Sequence, residues 1–245
     1  QIFVISNGTN TKYYSNTTRN SHIKEQTATR NKSKKTSNSF EFTSYWADST
    51  NKPINDLVDF TRTFFSKHTI LNILTKYCVF TSEELLLVMR PYQIVATEKI
   101  LNRIEISTNY KKVGTIEAGG YIWHTTGSGK TITSFKTALF LSTRAGFDKV
   151  IFLVDRRELD SRTGENFKAY AAYEPVDVDD TSSTYQLKKK LKMAKNGIIV
   201  TTTFKLNNLI EELKRNLDYS LSEKKFVFII DEAHRTTMGQ MMGTI

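Results

Sequence analysis

From residue 119 onward the sequence alternates between short apolar runs and longer amphipathic stretches, and this rhythm constrains the fold more than any other feature. The apolar runs have the length of buried strands, and the stretches between them repeat apolar residues at helical spacing. Strands connected through helices in this way form a mostly parallel sheet that is covered on both faces, so we expect an α/β fold. The predicted strands are residues 121–124, 149–154, 197–202 and 226–230, and the predicted helices are residues 131–145, 165–173, 184–194 and 204–217.

A glycine-rich turn follows the first predicted strand and leads into the first predicted helix. Its residues are Thr126, Gly127, Ser128, Gly129, Lys130 and Thr131. Glycine permits the backbone angles that turn amide N–H groups inward, and a helix N-terminus adds positive potential, so the turn is suited to phosphate oxygens. In such a loop the lysine reaches the β- and γ-phosphates and the following hydroxyl binds Mg²⁺. His124 stands where the strict pattern G-x-x-x-x-G-K-[ST] has its first glycine.

The last predicted strand ends in Asp231-Glu232-Ala233-His234. An aspartate at the tip of a buried strand holds Mg²⁺ in phosphate-loop enzymes, and a neighbouring glutamate can orient the attacking water. An acidic pair after a strand also serves as a helix cap, but the glycine-rich turn upstream favours the catalytic interpretation. We therefore predict Lys130, Asp231 and Glu232 as catalytic residues, with Thr131 and Asp231 binding Mg²⁺. His234 is interpreted as coupling the nucleotide site to another part of the protein, with a packing or capping role as the alternative.

The chain of 245 residues has a net charge of +10, which is compatible with a nucleic-acid partner. Residues 9–38 contribute +6 of this charge, from seven lysines and arginines less one glutamate. This polar segment is either a solvated linker or a basic strip that contacts a nucleic-acid backbone. Since most of the charge lies outside the motifs, it supports nucleic-acid binding only loosely.

Cysteine content and hydropathy limit the class of protein. Cys78 is the single cysteine, which excludes an intrachain disulfide and is typical of a reducing cytoplasm. No apolar run reaches the roughly 18 residues that a membrane span needs, so no membrane association is expected. In the first half, residues 1–5 are predicted to form a strand. Apolar positions between residues 54 and 64, between 70 and 77, and between 92 and 106 predict three helices.

The motifs in this order resemble the first RecA-like lobe of superfamily 2 helicases and translocases. The resemblance is carried by the turn at residues 126–131 and by Asp231-Glu232-Ala233-His234. Upstream, Arg90-Pro91-Tyr92-Gln93 is similar to the Q motif of that superfamily, which implies that Arg90 and Gln93 bind the nucleotide. A glutamine amide can both donate to and accept from the edge of adenine. The resemblance thus implies ATP and Mg²⁺ as cofactors. In that superfamily, a residue such as His124 is an accepted replacement for the first glycine.

A finer resemblance is to the restriction (R) subunit of type I restriction-modification enzymes. It is carried by residues 124–131, by Val154-Asp155-Arg156-Arg157-Glu158-Leu159-Asp160, by Val200-Thr201-Thr202-Thr203-Phe204-Lys205-Leu206 and by Asp231-Glu232-Ala233-His234-Arg235. Residues 1–16, with Ser6-Asn7-Gly8 and Thr11-Lys12-Tyr13-Tyr14, look like the tail of that subunit's endonuclease domain. The resemblance implies an ATP-dependent double-stranded DNA translocase and endonuclease subunit of a type I restriction enzyme, which works with modification (methyltransferase) and specificity subunits.

In that family the segments around residues 155–157 and 201–203 border the DNA. The resemblance therefore implies DNA contacts from Arg156, Arg157, Thr202 and Lys205. Arginines after a strand end can bind phosphates bidentately. An exposed arginine pair in a solvated loop, and a surface charge at Lys205, are the alternatives.

The resemblance also predicts a domain division. Residues 1–16 are the C-terminal remnant of the endonuclease domain, residues 17–50 a basic polar linker, residues 51–89 a helical bridge, and residues 90–245 the first RecA-like ATPase domain, truncated at its end. The nuclease residues are expected before Gln1, and the second lobe with its arginine fingers after Ile245. We therefore expect the fragment itself to hydrolyse ATP slowly.

Two other functions remain open at this point. The first is another superfamily 2 enzyme, either a DEAH-type RNA helicase or a DNA-repair translocase, because Asp-Glu-Ala-His does not distinguish these enzymes from a restriction subunit. The second is a basic nucleic-acid-binding or assembly module with a vestigial nucleotide site. The intact Lys130, Thr131, Asp231 and Glu232 argue against the second.

Overall fold

The computed structural model describes residues 1–15, 43–125, 127–144, 146–154 and 157–233, with the backbone alone at residues 116 and 157–161. The chain divides into two compact units, Gln1–Thr133 and Ser134–Ile245. None of the helices in the described ranges is long and apolar enough to cross a membrane.

The first unit combines short antiparallel strand pairs with helices. Strands β1 (Ile2–Ser6) and β2 (Thr11–Ser15) form a hairpin, β3 (Trp46–Ala47) pairs with β4 (Pro53–Ile54), and β5 (Cys78–Phe80) pairs with β6 (Leu86–Val88). The helices are α1 (Leu57–Phe64), α2 (Lys67–Thr75) and α3 (Pro91–Asn109), followed by a 3₁₀ turn at Ile116–Ala118. Helix α4 (Lys130–Ser142) begins in this unit.

An aromatic core holds the first unit together. The rings of Phe60 and Phe64, one turn apart on α1, stack at 4.7 Å, and the ring of Tyr13 from β2 lies 5.1 Å from Phe64. Ile73 of α2 and Cys78 of β5 complete the buried cluster. The hydroxyl of Tyr13 donates to the Met89 carbonyl at 3.3 Å, and its burial raises the pKa of that phenol. The N-terminal hairpin therefore shares its core with α1 and α2.

The second unit is built on a four-stranded parallel sheet. Along the chain it contains β7 (Lys149–Val154), α5 (Arg157–Ala171), β8 (Val178–Asp180), α6 (Thr184–Lys192), β9 (Ile198–Thr202), α7 (Thr203–Arg215) and β10 (Phe226–Ile230). The strand order is β10-β7-β9-β8, and every adjacent pair is parallel. Strands β7 and β9 lie in the middle and are buried along their whole length.

Helices cover both faces of this sheet. Successive residues of a strand point to opposite faces, so Ile151 and Leu153 of β7 face one layer and Phe152 faces the other. Leu187 of α6 and Leu206 of α7 belong to the buried cluster that contains Ile151 and Leu153. On the opposite face the ring of Phe152 lies 4.9 Å from Phe167 of α5, which in turn lies 5.4 Å from Phe135 of α4. The predicted α/β fold with a parallel, two-sided sheet is thereby confirmed.

Several element boundaries differ from the sequence predictions. The strands predicted at residues 149–154 and 226–230 are confirmed, and β9 begins one residue after the predicted 197. The strand predicted at residues 121–124 is wrong. Tyr121 and Trp123 are 88% and 87% exposed, so the burial that would stabilise a strand is missing there. Strand β8 was not predicted, because Val178-Asp179-Asp180 lacks an apolar run, and α5 begins eight residues before the predicted 165, in a charged turn.

The first half holds more strand than predicted. Residues 51–89, predicted as a helical bridge, contain α1 and α2 together with β4, β5 and β6. Ile54 and Tyr77, which were assigned to helices, lie in β4 and just before β5. Strand β2 falls inside the polar segment of residues 9–38, because every second residue, including Tyr13, turns into the core. Residues 16–38 of that segment lie outside the described residues.

Candidate nucleotide site

The two glycines of the glycine-rich turn adopt backbone angles that residues with a side chain resist. Gly127 and Gly129 have φ values of +76° and +78°, in the left-handed region that favours glycine. The turn is closed by Ser128, whose backbone N–H and hydroxyl both donate to the Thr125 carbonyl, at 3.2 Å and 2.7 Å. Helix α4 begins at Lys130 directly after the turn. Two glycines in the left-handed region thus lead directly into a helix N-terminus, which is a favourable place for an anion.

Gln93 connects the first turn of α3 to this loop. Its Oε1 accepts from the Arg90 backbone N–H at 2.7 Å, and its Nε2 donates to the carbonyls of Ser128 and Gly129 at 2.9 Å and 3.3 Å. The side chain is buried, and a Cβ on Gly129 would collide with Nε2. Gly129 is therefore required both by its φ and by the close approach of Gln93. The contact of Gln93 with adenine stays a prediction.

Two further side chains that were not predicted as site residues also contact the loop. The hydroxyl of Tyr92 donates to the Ser128 carbonyl at 2.7 Å, and His124 Nδ1 lies 3.1 Å from Ser128 Oγ. The two rings meet edge to face, with centroids 6.0 Å apart. Burial and the nearby Lys130 ammonium lower the pKa of the His124 imidazole. In the sequence, Tyr92 is marked only by its place beside Gln93. A local pattern does not predict its contact with Ser128, which lies 36 residues further along the chain.

Asp231 and Glu232 lie at the carboxyl edge of the sheet in the second unit. The Asp231 N–H donates to the Leu153 carbonyl at 2.9 Å, which continues the pairing of β10 with β7 past the end of β10. Glu232 has a φ of +49°, and its N–H donates to Asp231 Oδ1 at 3.0 Å. Both residues therefore lie at the edge where parallel α/β sheets bind ligands, and their catalytic roles stay a prediction.

Of the residues predicted to bind DNA, Thr202 ends β9 and Lys205 lies in the first turn of α7. The hydroxyl of Thr202, at the end of β9, accepts from the Lys205 N–H at 3.2 Å and caps α7; its side chain is 2% exposed. The Lys205 ammonium donates to the carbonyl of Thr181. Arg157 is the first residue of α5, and Arg156, Thr126 and His234 lie outside the described residues. DNA binding by this group of residues stays a prediction.

Each unit, considered by itself, contains an oxygen ligand of the type that Mg²⁺ prefers. Thr131 offers a hydroxyl in the first turn of α4, and Asp231 offers a carboxylate at the sheet edge. Within the part of the chain that the structure describes, no cluster of three or more His, Cys, Asp or Glu side chains could hold a metal by itself. A nucleotide-bound Mg²⁺ does not need such a cluster, because phosphates and water supply most of its oxygen ligands.

The chain is similar to known proteins over ranges that include these residues. The SWI2/SNF2 ATPase family model matches residues 92–245. The C-terminal part of the putative type I restriction enzyme MpnIIP endonuclease subunit, from Mycoplasma pneumoniae, is 43% identical over 203 residues, which cover 82% of this chain and 97% of that protein. The type I restriction enzyme SsaAORF53P endonuclease subunit from Staphylococcus saprophyticus is 39% identical over 242 residues, covering 98% of this chain. The chain spans only 23% of the length of that relative. The EcoprrI endonuclease subunit from Escherichia coli is 50% identical over 125 residues, which cover 51% of this chain and 35% of that protein.

Proposed function

Because the chain belongs to the family of type I restriction enzyme endonuclease subunits, we propose that it supplies the first RecA-like ATPase lobe of an ATP-dependent double-stranded DNA translocase. The observation that carries the proposal is the turn shaped by Gly127 and Gly129 at the start of α4. The acidic pair at the carboxyl edge of the parallel sheet supports it. ATP and Mg²⁺ are the cofactors of this proposal.

Each side chain has a distinct chemical task in ATP hydrolysis. The amides of the turn donate to phosphate oxygens, and the Lys130 ammonium neutralises the β- and γ-phosphates. Thr131 and Asp231 hold Mg²⁺, which when bound neutralises charge on the phosphates. Glu232 orients the attacking water and accepts its proton. Arg90, Gln93, Thr126 and Ser128 complete the ATP-binding set.

Movement along DNA requires contacts that do not depend on sequence. Phosphate contacts have this property, because they position a protein on a duplex without reading the bases. We assign this role to Arg156, Arg157 and Lys205, while the buried Thr202 caps the helix that carries Lys205. We assign to His234 the coupling of the nucleotide site to the rest of the motor. Target choice then belongs to the modification and specificity subunits.

The rest of the proposal concerns the whole enzyme. DNA cleavage belongs to an endonuclease domain whose C-terminal tail is residues 1–16, and the complex works in the cytoplasm. A reducing compartment is supported by the presence of a single cysteine, Cys78, whose thiol is buried.

The experiment uses the full-length subunit assembled with its modification and specificity subunits. We expect duplex DNA that carries the target site to stimulate ATP hydrolysis, and RNA to have no effect. Lys130→Ala should abolish ATP-dependent translocation, measured by displacement of a triplex-forming strand. Lys189→Ala, at an exposed lysine of α6, is the matched control and should translocate normally. Translocation retained in Lys130→Ala would refute the site assignment, and stimulation by RNA alone would favour an RNA helicase.

A further inference from the structure

The carbonyl of Ser128, at the centre of the glycine-rich turn, accepts two hydrogen bonds from neighbouring residues of α3. Tyr92 Oη donates at 2.7 Å and Gln93 Nε2 donates at 2.9 Å. A carbonyl oxygen has two lone pairs, so these donors saturate it. A tyrosine hydroxyl and a glutamine amide, both from the start of α3, therefore hold the same loop carbonyl.

The Gln93 amide has no N–H to spare. Its two N–H hydrogens serve the carbonyls of Ser128 and Gly129, at 2.9 Å and 3.3 Å. If the amide turns to adenine, these carbonyls lose its N–H groups. The Gly129 carbonyl still accepts from the N–H and the hydroxyl of Thr133, both at 3.3 Å. The half-buried Ser128 carbonyl therefore needs a second donor that stays in place when Gln93 turns.

His124 fixes the other side of Ser128 and the ring of Tyr92. The Ser128 hydroxyl has one hydrogen, which it donates to the Thr125 carbonyl at 2.7 Å. Ser128 Oγ can therefore only accept from His124 Nδ1 at 3.1 Å, which assigns the proton to Nδ1 from the hydrogen-bond network. The edge-to-face contact then orients the Tyr92 ring toward the Ser128 carbonyl.

We propose that Tyr92 is a positioning residue of the phosphate loop: its hydroxyl holds the Ser128 carbonyl while the Gln93 amide turns to the adenine of the bound nucleotide. His124 supports it by holding the Tyr92 ring and the Ser128 side chain. The inference rests on the proposed function, because it assumes that ATP binds at this loop. It predicts that Tyr92 matters for a ligand with an adenine base and not for a ligand made of phosphates alone.

The test compares two ligands of the full-length protein. Tyr92→Phe keeps the ring and removes the hydroxyl, and Tyr110→Phe, at an exposed tyrosine just after α3, is the control. We expect Tyr92→Phe to weaken Mg·ATP binding and raise the KM for ATP by about tenfold, the usual effect of one lost hydrogen bond, with kcat little changed. The affinity for Mg·tripolyphosphate, which has no base, should change by less than about twofold, because Gln93 then stays on Ser128.

A double variant gives a second, independent readout. Tyr92→Phe combined with Gln93→Ala leaves the Ser128 carbonyl without either donor, so the loss of ATP affinity should exceed the product of the two single losses. Equal losses for ATP and tripolyphosphate in Tyr92→Phe, or unchanged ATP binding, would overturn the inference. Failure of the wild-type protein to bind Mg·ATP is a separate result, because it would refute the proposed function itself.

Discussion

At the residue scale, the two glycines of the turn are required for different reasons. Both have a positive φ, which costs a residue with a side chain about 1–2 kcal/mol. A Cβ on Gly127 would meet nothing within 4 Å, whereas a Cβ on Gly129 would displace Gln93. Gly129 is therefore required by the space that the Gln93 side chain occupies, in addition to its positive φ.

Alanine substitutions separate these two requirements. We expect Gly127→Ala to weaken Mg·ATP binding by roughly tenfold, from backbone strain alone. Gly129→Ala should weaken it further, because Gln93 is pushed away from the loop. Gly120→Ala is the control, since its φ lies outside the left-handed region and its Cβ would meet open space. Nucleotide titration of the three variants checks the order, and equal losses at Gly127 and Gly129 would contradict it.

The ionisation of His124 predicts a pH dependence. Its pKa is lowered in the folded protein by burial and by Lys130, so the unfolded chain binds the proton more tightly. The free energy of unfolding should therefore rise with pH from the folded pKa up to the ordinary value near 6.5, and fall on acidification through that window. Urea unfolding at several pH values checks this. His124→Gln should remove this part of the pH dependence, and an unchanged profile would show that another group is responsible.

At the element scale, an ion pair between a buried lysine and a half-buried glutamate joins α4 to the turn that follows α5. Lys136 is 2% exposed, and its Nζ lies 3.2 Å from Glu174 Oε1 and 5.4 Å from the ring centroid of Phe140. The Glu174 side chain is 28% exposed and keeps some contact with water. The buried ammonium therefore needs its counter-ion more than the partly hydrated carboxylate does.

Removing the two charges should have unequal effects on stability. Glu174→Gln leaves the buried ammonium without its counter-ion and should lower the free energy of unfolding by about 1–3 kcal/mol. Lys136→Met replaces the ammonium with an apolar group of similar length and should cost less, because the remaining carboxylate is partly hydrated. Lys168→Met, at an exposed lysine paired with Asp180, is the control and should change stability by less than about 1 kcal/mol. A larger loss for Lys136→Met than for Glu174→Gln would contradict this reasoning.

The elements that the sequence predicts best are those stabilised by their own composition. Strands β7 and β10 are apolar throughout and lie where predicted, whereas β8 pairs through its backbone at the sheet edge and has a charged sequence. Residues 121–124 show the opposite error, since apolar composition alone does not supply a pairing partner. In the site, the glycine-rich turn and the acidic pair can be predicted because each follows a local sequence pattern. The hydrogen bonds of Tyr92 and Gln93 to the Ser128 carbonyl cannot, because they form only when α3 and the loop meet in the fold.

At the scale of the whole molecule, the positive charge is less available than the net value suggests. Lysines of the second unit are paired with acidic residues: Lys188 lies 3.0 Å from Glu212 and 3.1 Å from Asp218, and Lys190 lies 2.8 Å from Asp179. Hydrogen bonds from Ser220 and the neighbouring lysines hold the pKa of Asp218 well below its usual range. These pairs neutralise much of the positive charge on α6. The number of lysines on α6 is therefore not evidence that this helix binds nucleic acid.

The two compact units have separate apolar cores, and this predicts how the molecule loses structure. Phe64 belongs to the aromatic core of the first unit, and Leu187 to the core of the second; both are fully buried. Phe64→Ala should cost about 3–5 kcal/mol and Leu187→Ala about 2–5 kcal/mol, because each leaves a cavity. Amide hydrogen exchange should then accelerate in β2 for the first variant and in β7 and β9 for the second, since regions with their own cores open as separate cooperative units. Tyr185→Ala, at an exposed position of α6, is the control and should leave exchange in all three strands unchanged. Faster exchange in β7 of Phe64→Ala, equal to that in β2, would show instead that the two units unfold together.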